Sequence, residues 1–188
     1  DISNFVLLEF GQPTHIFDYD RLANKEILVR RANKNESIRT LDQNKLKLND
    51  NHLLITDGKN PIALAGIMGG SSSAVSDDTT NIFIESAYFD PVTIRKGSKD
   101  LSISTEASKR FERGADPEAT VAAFWRVVNL IEECANGRFD GDFVDYYPKK
   151  ISIKPIEIRK NEIELILGLK IEDDFIIVIN KKNGLLSH

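Results

Sequence analysis

Short runs rich in hydrophobic residues alternate with polar turns through the first half of the chain, which predicts strands rather than helices. Four such runs, separated by turn-forming residues, are EILVRR at 26–31, SIRTL at 37–41, KLKL at 45–48 and HLLIT at 52–56. PIALAGIMGG at 61–70 and NIFIESAYF at 81–89 are more continuously apolar and predict buried strands. The first half is therefore predicted to be rich in β-structure.

Helical signals occur in the second half. Asp90–Pro91 and Asp116–Pro117 each join an N-cap residue to a first-turn proline, which predicts helices near 91–99 and 117–136. A short helix is predicted at 105–113. The core-facing stripe of the long helix is expected to hold Val121, Phe124, Val128, Ile131 and Ala135. These elements predict an α+β domain with mixed β-sheets in a sandwich-like core and flanking helices.

A domain boundary is predicted near residue 150, where Pro148 precedes two lysines. Beyond it, ISIKPIEIR alternates like a strand and NEIELILG has a capping-box pattern before Gly168. Residues 151–188 are too few for a stable domain, and the run after residue 171 fits either strand or helix. Because the chain lacks an initiator Met, it is expected to begin inside a longer protein.

Composition narrows the possible functions. The chain has 188 residues with 41% hydrophobic content, enough for a core, and a net charge of −4. That charge argues against autonomous nucleic-acid binding, so RNA contacts are expected to be local or aided by a partner. The single cysteine, Cys134, excludes internal disulfides, fits a reducing cytosol and is expected to be a buried thiol. No apolar run reaches the roughly 20 residues of a membrane span.

Glu85 is the most informative candidate for chemistry, because it lies in the apolar run NIFIESAYF. A carboxylate there is costly to bury unless it is paired or hydrogen-bonded. Two interpretations stay open at this point. The carboxylate is functional, or it forms a salt bridge with a basic residue near Arg110.

Three other segments carry candidate site residues. His15 follows a proline-containing turn, Gly69 belongs to the glycine turn AGIMGG, and Thr105 and Ala107 lie in STEAS. The glycine turn lacks the lysine and spacing of a phosphate-binding loop, and a solvated charged helix is the alternative for STEAS. His52 is interpreted as a hydrogen-bonded structural residue. The sequence shows no nucleophilic triad and no metal-ligand cluster.

The same segments carry a resemblance. GQPTHIFDYD, GIMGG, ESAYFDPVTIRK and STEASKRFERGADPE, in this order, resemble four motifs of the β subunit of bacterial phenylalanyl-tRNA synthetase. The resemblance covers residues 1 to about 150, as the B3/B4 editing domain, and residues 151–188 resemble the start of a B5 domain. Ile16 stands where the family usually has Ala, and it is expected to narrow the outer wall of the pocket.

The resemblance implies an editing activity within phenylalanine–tRNA ligase: hydrolysis of the ester of tyrosine wrongly attached to tRNA(Phe). Carried over by motif, the catalytic residues would be His15 and Thr105, which would position the ester or its attacking water. Glu85 would accept the phenol proton. Gly69 would bring backbone close to the ring, and Ala107 would keep the pocket wide.

The implied partners are the 3′ end of tRNA(Phe) carrying tyrosine and the synthetase α subunit of a heterotetramer. No membrane, DNA, cofactor or metal is expected for this segment, although the whole cytoplasmic synthetase would use ATP and Mg²⁺. Lys109, Arg110 and Arg113 are expected to stabilise the fold or hold terminal tRNA phosphates. The main alternative is a non-catalytic tRNA-binding or subunit-docking module. A free-standing editing protein is a weaker one.

Overall fold

The computed structural model describes residues 1–141, 143–152, 159–168 and 170. The helices in these ranges are α1 (Ile2–Phe10), α2 (Pro91–Leu101), α3 (Glu106–Phe111), α4 (Ala119–Ala135) and α5 (Lys160–Leu167). The strands are β1 (Thr14–Asp18), β2 (Leu28–Arg31), β3 (Ser37–Arg39), β4 (Lys45–Lys47), β5 (Leu53–Thr56), β6 (Pro61–Leu64), β7 (Met68–Gly69) and β8 (Ile82–Ser86). Among the described helices, none combines the length and apolar content that crossing a membrane requires.

The chain divides into two compact units, the first containing Asp1–Phe143 and the second beginning at Val144. The predicted boundary near residue 150 stays a prediction. In the second unit, α5 ends at Gly168, whose φ of 65° suits glycine in a left-handed helix cap. The tail from residue 171 and most of the strand predicted over ISIKPIEIR lie outside the described residues.

The predicted α+β class is confirmed in the first unit. Every pairing between its described strands is antiparallel: β1 with β8, β3 with β4, and a four-stranded sheet in the order β2-β5-β6-β7. The helix predicted from Asp90 begins at Pro91, and the Asp90 side chain accepts the amide proton of Thr93. The long apolar run at 61–70 forms two strands, because the chain turns between them.

The β1–β8 ribbon separates two hydrophobic cores. On one side is the larger core, built around Phe17 and residues of β5, β6, α2 and α3. On the other side, α1 and α4 form a second core of Val6, Ala123 and Val127, against which Ile16 and Ile84 pack. Because side chains alternate across a strand, the residues neighbouring Ile16 and Ile84 lie on the opposite face of the ribbon.

Helix α1 was not predicted, because its apolar residues do not form a single stripe. Val6 and Leu7 are buried, whereas Phe5 and Leu8 are 51% and 77% exposed. Local signals nevertheless define its ends. The Asp1 side chain accepts the amide proton of Asn4, and Gly11 closes the helix at a φ of 69°. Packing against α4, rather than sequence pattern, gives this helix its place.

One prediction about α4 was partly confirmed and another was wrong. Of the predicted stripe, Val128 is buried and Ile131 packs against the second core, whereas Ala135 is exposed. The fully buried residues Ala123 and Val127 lie outside the predicted stripe, so the buried face is rotated relative to it. Cys134 is exposed, because the last turn of α4 extends beyond the part that packs on α1 and β8. The thiol therefore faces solvent.

Candidate functional site

A cleft of about 240 Å³ opens in the first unit, on the face of the β1–β8 ribbon opposite to the second core. Its walls come from α1, β1, the turn between β6 and β7, β8 and α3. The five site residues proposed from sequence all border it: His15, Gly69, Glu85, Thr105 and Ala107. Segments distant in sequence thus meet at one cavity, although the role of each residue stays a prediction.

Strand register explains why His15 and Glu85 lie together. The two residues are direct partners in the antiparallel β1–β8 pair. Directly opposed side chains share one face of a sheet, with Cβ atoms typically about 5 Å apart. The Phe17 ring follows on the same face, with its centroid 4.5 Å from that of His15 in an edge-to-face arrangement. A carboxyl and an imidazole are thereby held side by side.

The register also corrects the expectation for Ile16. This residue pairs with Ile84 on the opposite face of the ribbon and packs against the second core. It does not border the cleft. The expected narrowing of the outer wall was therefore wrong, because a shift of one residue along a strand moves a side chain to the other face.

Glu85 is half-buried, and no hydrogen bond or ion pair to another described residue holds its carboxylate. The salt-bridge interpretation was wrong, because Arg110 pairs with Glu106 at 2.8 Å. Burial raises the pKa of the Glu85 carboxyl from 4.5 to about 7. Both its charged and neutral forms are thus present near neutral pH.

His15 has the opposite electrostatic response. Its Nε2 atom is buried without a hydrogen-bond partner among the described residues. Burial lowers the pKa of this imidazole from 6.5 to about 4, since water that would stabilise the charged ring is excluded. His15 is therefore neutral at pH 7, and the hydrogen-bonding capacity of its Nε2 atom is unused among the described residues.

Gly69 provides space for the His15 ring. A methyl group added at Gly69 would lie 2.5 Å from His15 Cε1, 2.8 Å from His15 Nε2 and 3.0 Å from Leu41 Cδ1. These separations are shorter than normal contacts between carbon atoms, which are about 3.5–4.0 Å. The backbone approaches the imidazole as closely as it does only because residue 69 has no side chain.

Thr105 joins helix α3 to the glycine turn. Its hydroxyl donates to the Ile67 carbonyl at 2.8 Å and accepts the Ser108 amide proton at 3.0 Å. A hydroxyl has one proton and two lone pairs, so one lone pair remains for a ligand or water. Thr105 is suited to positioning rather than to donating a proton. Ala107, in the first turn of α3, is partly buried against the larger core.

The cleft also has walls that sequence reasoning missed. Ser3, Asn4 and Leu7 border it from α1, and Leu41 borders it after β3. No sequence signal pointed to the α1 residues, because α1 itself was not predicted. Among the described residues, no group of three or more side chains suited to holding a metal ion is present.

His52 lies outside the cleft and has the structural role expected from the sequence. It is 1% exposed, and its Nδ1 atom accepts the Asn49 amide proton. Its Nε2 atom lies 2.8 Å from a carboxylate oxygen of Asp100. The histidine thus joins the turn after β4 to the end of α2.

The pKa values of Glu85 and His15 shift in opposite directions on folding. Each shift makes the free energy of unfolding depend on pH, and the two dependences oppose each other in the unmodified chain. Because folding raises the pKa of Glu85 from 4.5 to about 7, the folded state binds the extra proton and stability falls as pH rises through that range. Folding lowers the pKa of His15 from 6.5 to about 4, so its contribution makes stability rise from about pH 4 to 6.5. Each contribution is at most about 3 kcal/mol, since water reaches the cleft.

Single variants separate the two contributions. Relative to the unmodified chain, Glu85→Gln should gain unfolding free energy between pH 4.5 and 7, because only the His15 contribution remains. His15→Gln should lose unfolding free energy over a similar range. Urea denaturation at a series of pH values measures both, with the double variant as control. Differences that do not vary with pH would show that neither pKa is shifted.

The fold and the cleft define the first unit as an α+β domain with a carboxyl–imidazole pair beside its cleft. The chain belongs to the B3/4 domain family, whose family model matches residues 1–136. The family resemblance seen in the sequence motifs is thereby confirmed.

Curated relatives share one name, phenylalanine–tRNA ligase beta subunit. The relative from Thermotoga maritima is 47% identical over 173 residues, which are 92% of this chain and 22% of the relative. The relative from Geobacillus kaustophilus is 53% identical over 145 residues, 77% of this chain and 18% of the relative. The Bacillus subtilis relative is 44% identical over 184 residues, 98% of this chain and 23% of the relative. The chain thus spans about a fifth of the length of these relatives.

Proposed function

We propose that the chain is the editing segment of a phenylalanine–tRNA ligase β subunit, and that its cleft hydrolyses the ester of tyrosine wrongly attached to tRNA(Phe). The observation that carries this proposal is the Glu85 carboxylate, which borders the cleft without a hydrogen-bond partner among the described residues. A half-buried carboxylate of this kind is stabilised when a ligand donates a hydrogen bond to it. The tyrosine phenol provides such a donor.

Cleft size supports a small substrate group. The volume of about 240 Å³ is below the range of about 300–1,000 Å³ that is usual for drug-sized ligands. An amino-acid side chain with its ester linkage is of a suitable size. The Phe111 ring and the Leu7 side chain add apolar walls, which suit an aromatic ring.

An editing site is needed because the aminoacylation site can discriminate only weakly between phenylalanine and tyrosine. An apolar pocket that accepts phenylalanine rejects an added hydroxyl by only about 100-fold. A site that hydrogen-bonds the hydroxyl can discriminate by about 10⁴-fold or more, because the analogue leaves a buried polar group unpaired. Glu85 is the group that would make this distinction.

The ester is cleaved by addition of water to its carbonyl carbon. The bond to the ribose oxygen then breaks, and a proton from water ends on that oxygen, giving tyrosine and uncharged tRNA. His15 is assigned to orient the water through its unpartnered Nε2 atom. With a pKa of about 4 it is a weak base at neutral pH, so orientation is a better role for it than proton removal. Thr105 holds the glycine turn in place beside it.

The wider partners belong to the same proposal. The substrate is the aminoacylated 3′ end of tRNA(Phe), and the α subunit, ATP and Mg²⁺ serve the aminoacylation reaction of the whole synthetase. A cytoplasmic location follows from that role. A module used only for tRNA binding or subunit docking would have no need for an unpaired carboxylate in a cleft.

Hydrolysis by the chain itself tests the proposal. Added to Tyr-tRNA(Phe), the chain should release tyrosine faster than the uncatalysed reaction, and Phe-tRNA(Phe) should be hydrolysed more slowly. Gly141→Ala serves as a control, because an added methyl group there has no atom within 4 Å. Binding of the tRNA without accelerated release of tyrosine would overturn the proposal in favour of a non-catalytic module.

A further inference from the structure

We propose that the outer face of the β3–β4 hairpin binds the phosphates of a single-stranded RNA end that enters the cleft. The inference rests on the proposed function for its substrate, but it concerns a separate surface. That surface, called here the basic ribbon, is defined by three residues: Arg39, Lys45 and Lys47.

Register places the three cations on one side of the hairpin. Arg39 is the direct partner of Lys45, and Lys47 lies two residues further along the same strand. All three are exposed. The alternate positions, Ile38 and Leu46, pack against the larger core. The hairpin therefore has one apolar inner face and one cationic outer face.

The cations of the basic ribbon have no carboxylate partner among the described residues, in contrast to Arg30, which pairs with Glu36. Arg39 uses a single donor on the Gln43 carbonyl and retains others. Like charges directly opposite each other destabilise a strand pair. An anionic ligand would relieve the repulsion between Arg39 and Lys45.

The turn of the hairpin contains an acidic residue, Asp42. The Asp42 carboxylate accepts hydrogen bonds from the Thr40 hydroxyl and from the Asn44 amide group, and these bonds lower its pKa. It forms no ion pair with a cation of the basic ribbon among the described residues. The outer face thus keeps its positive charge in a chain whose net charge is −4.

The basic ribbon leads directly to the cleft. Leu41 borders the cleft, and its amide donates to the Gly69 carbonyl at 3.0 Å. Thr40 forms a β-bridge with Gly70. Two residues of extended chain span at most about 7 Å, so the backbone of Arg39 lies close to the wall of the cleft at Leu41. A strand whose terminal aminoacyl group occupies the cleft would have its nearest phosphates within reach of the basic ribbon.

The basic residues of α3 are less suited to binding phosphates than those of the basic ribbon. Lys109 and Arg110 both pair with Glu106, at 2.9 and 2.8 Å. Those two side chains are thereby neutralised locally. Helix α2 carries a second group of exposed cations, namely Arg95, Lys96 and Lys99. Two acidic residues, Asp90 and Asp100, lie at the ends of this helix, and its buried face packs on the larger core.

A single strand fits better than a duplex. The cleft volume of about 240 Å³ admits the aminoacyl group at the end of a strand and not a base-paired helix. Strands of three residues, as in β3 and β4, are about 10 Å long, which suits a few consecutive phosphates. Non-specific contact with the backbone of a single strand depends on such unpaired cations.

Salt dependence of RNA binding tests the proposal. The probe is a short single-stranded RNA ending in CCA, with affinity measured by fluorescence anisotropy. The ribbon variant replaces all three cations by alanine: Arg39→Ala, Lys45→Ala and Lys47→Ala. Between about 50 and 200 mM salt, the affinity of the unmodified chain should fall about 20-fold more than that of the variant, as expected for three phosphate contacts to a single strand.

A matched control removes the same charges elsewhere. It replaces one arginine and two lysines of α2: Arg95→Ala, Lys96→Ala and Lys99→Ala. This control should keep the salt dependence of the unmodified chain. An equal loss in both variants would overturn the proposal, as would an unmodified chain whose affinity hardly varies with salt. If the ribbon variant lost binding to polyglutamate but kept binding to RNA, the surface would be assigned to an acidic protein partner, and the proposal would be overturned.

Tyrosine binding separates this inference from the proposed function. The ribbon variant should bind free tyrosine in the cleft as the unmodified chain does, measured by calorimetry. Reduced salt dependence together with no hydrolysis of Tyr-tRNA(Phe) by the unmodified chain would support the RNA surface and reject the editing function. Hydrolysis by the unmodified chain, together with unaltered salt dependence in the ribbon variant, would support the editing function and reject the RNA surface.

Discussion

Replacing Glu85 by alanine should lower the preference for tyrosine over phenylalanine by about 10-fold to 150-fold, the loss expected for a charge-assisted hydrogen bond of about 1.5–3 kcal/mol. The effect should fall on tyrosine, because phenylalanine has no hydroxyl to donate. Phenylalanine should be released more readily by the variant, since the carboxylate no longer opposes an apolar ring. Deacylation of both charged tRNAs by the variant measures the ratio.

Glu85→Gln is the matched variant for this prediction. The amide keeps the shape and an acceptor oxygen but removes the charge, so its preference for tyrosine should lie between those of the unmodified chain and Glu85→Ala. A general base is the competing role for Glu85, because its pKa of about 7 is close to that favoured for proton transfer at neutral pH. Equal slowing of both substrates in the two variants would assign Glu85 to catalysis and reject it as the reader of tyrosine.

Gly69→Ala should reduce hydrolysis of Tyr-tRNA(Phe) by about 100-fold, the loss that a displacement of about 1 Å can cause. The added methyl group would lie 2.5 Å from His15 Cε1, so the imidazole must move. Phe17 packs against that ring edge-to-face, which limits where it can go. Overpacking of this kind should also lower the free energy of unfolding by about 1–3 kcal/mol.

Comparison with Gly141→Ala separates loss of the site from a general effect of the substitution. Residue 141 has no atom within 4 Å of an added methyl group, so that variant should keep both activity and stability. Hydrolysis and urea denaturation are measured on the two variants side by side. Full activity in Gly69→Ala, with the chain folded, would show that the position of His15 does not matter for the reaction.

Local signals in the sequence were sufficient for much of the secondary structure. Alternation over two residues predicted strands such as β4, in which Lys45 and Lys47 are exposed and Leu46 packs against the larger core. Asp90 and Pro91 predicted the start of α2, because capping and proline preference act within one turn of the chain. The unusual position of Glu85 was also visible, because a carboxylate in an apolar run needs a reason to be there. Such features depend on near neighbours in the chain.

Membership in the family came from motifs, whereas the arrangement of the motifs came from tertiary structure. The sequence named His15 and Glu85 as candidates, but the β1–β8 register makes them direct partners. The same register moves Ile16 away from the cleft, against expectation. Alternation shows that neighbouring side chains lie on opposite faces of a strand, but it does not show what packs against each face.

Other features depended on contacts between distant segments. Helix α1 has a weak pattern of its own and is placed by packing on α4, while Cys134 is exposed because α4 extends past that contact. The sequence by itself determined the class of fold, the family and the residues worth testing. Tertiary structure alone decided which of them share a cleft and which charges remain unpaired, because burial and pairing are set by neighbours that folding brings together from distant parts of the chain.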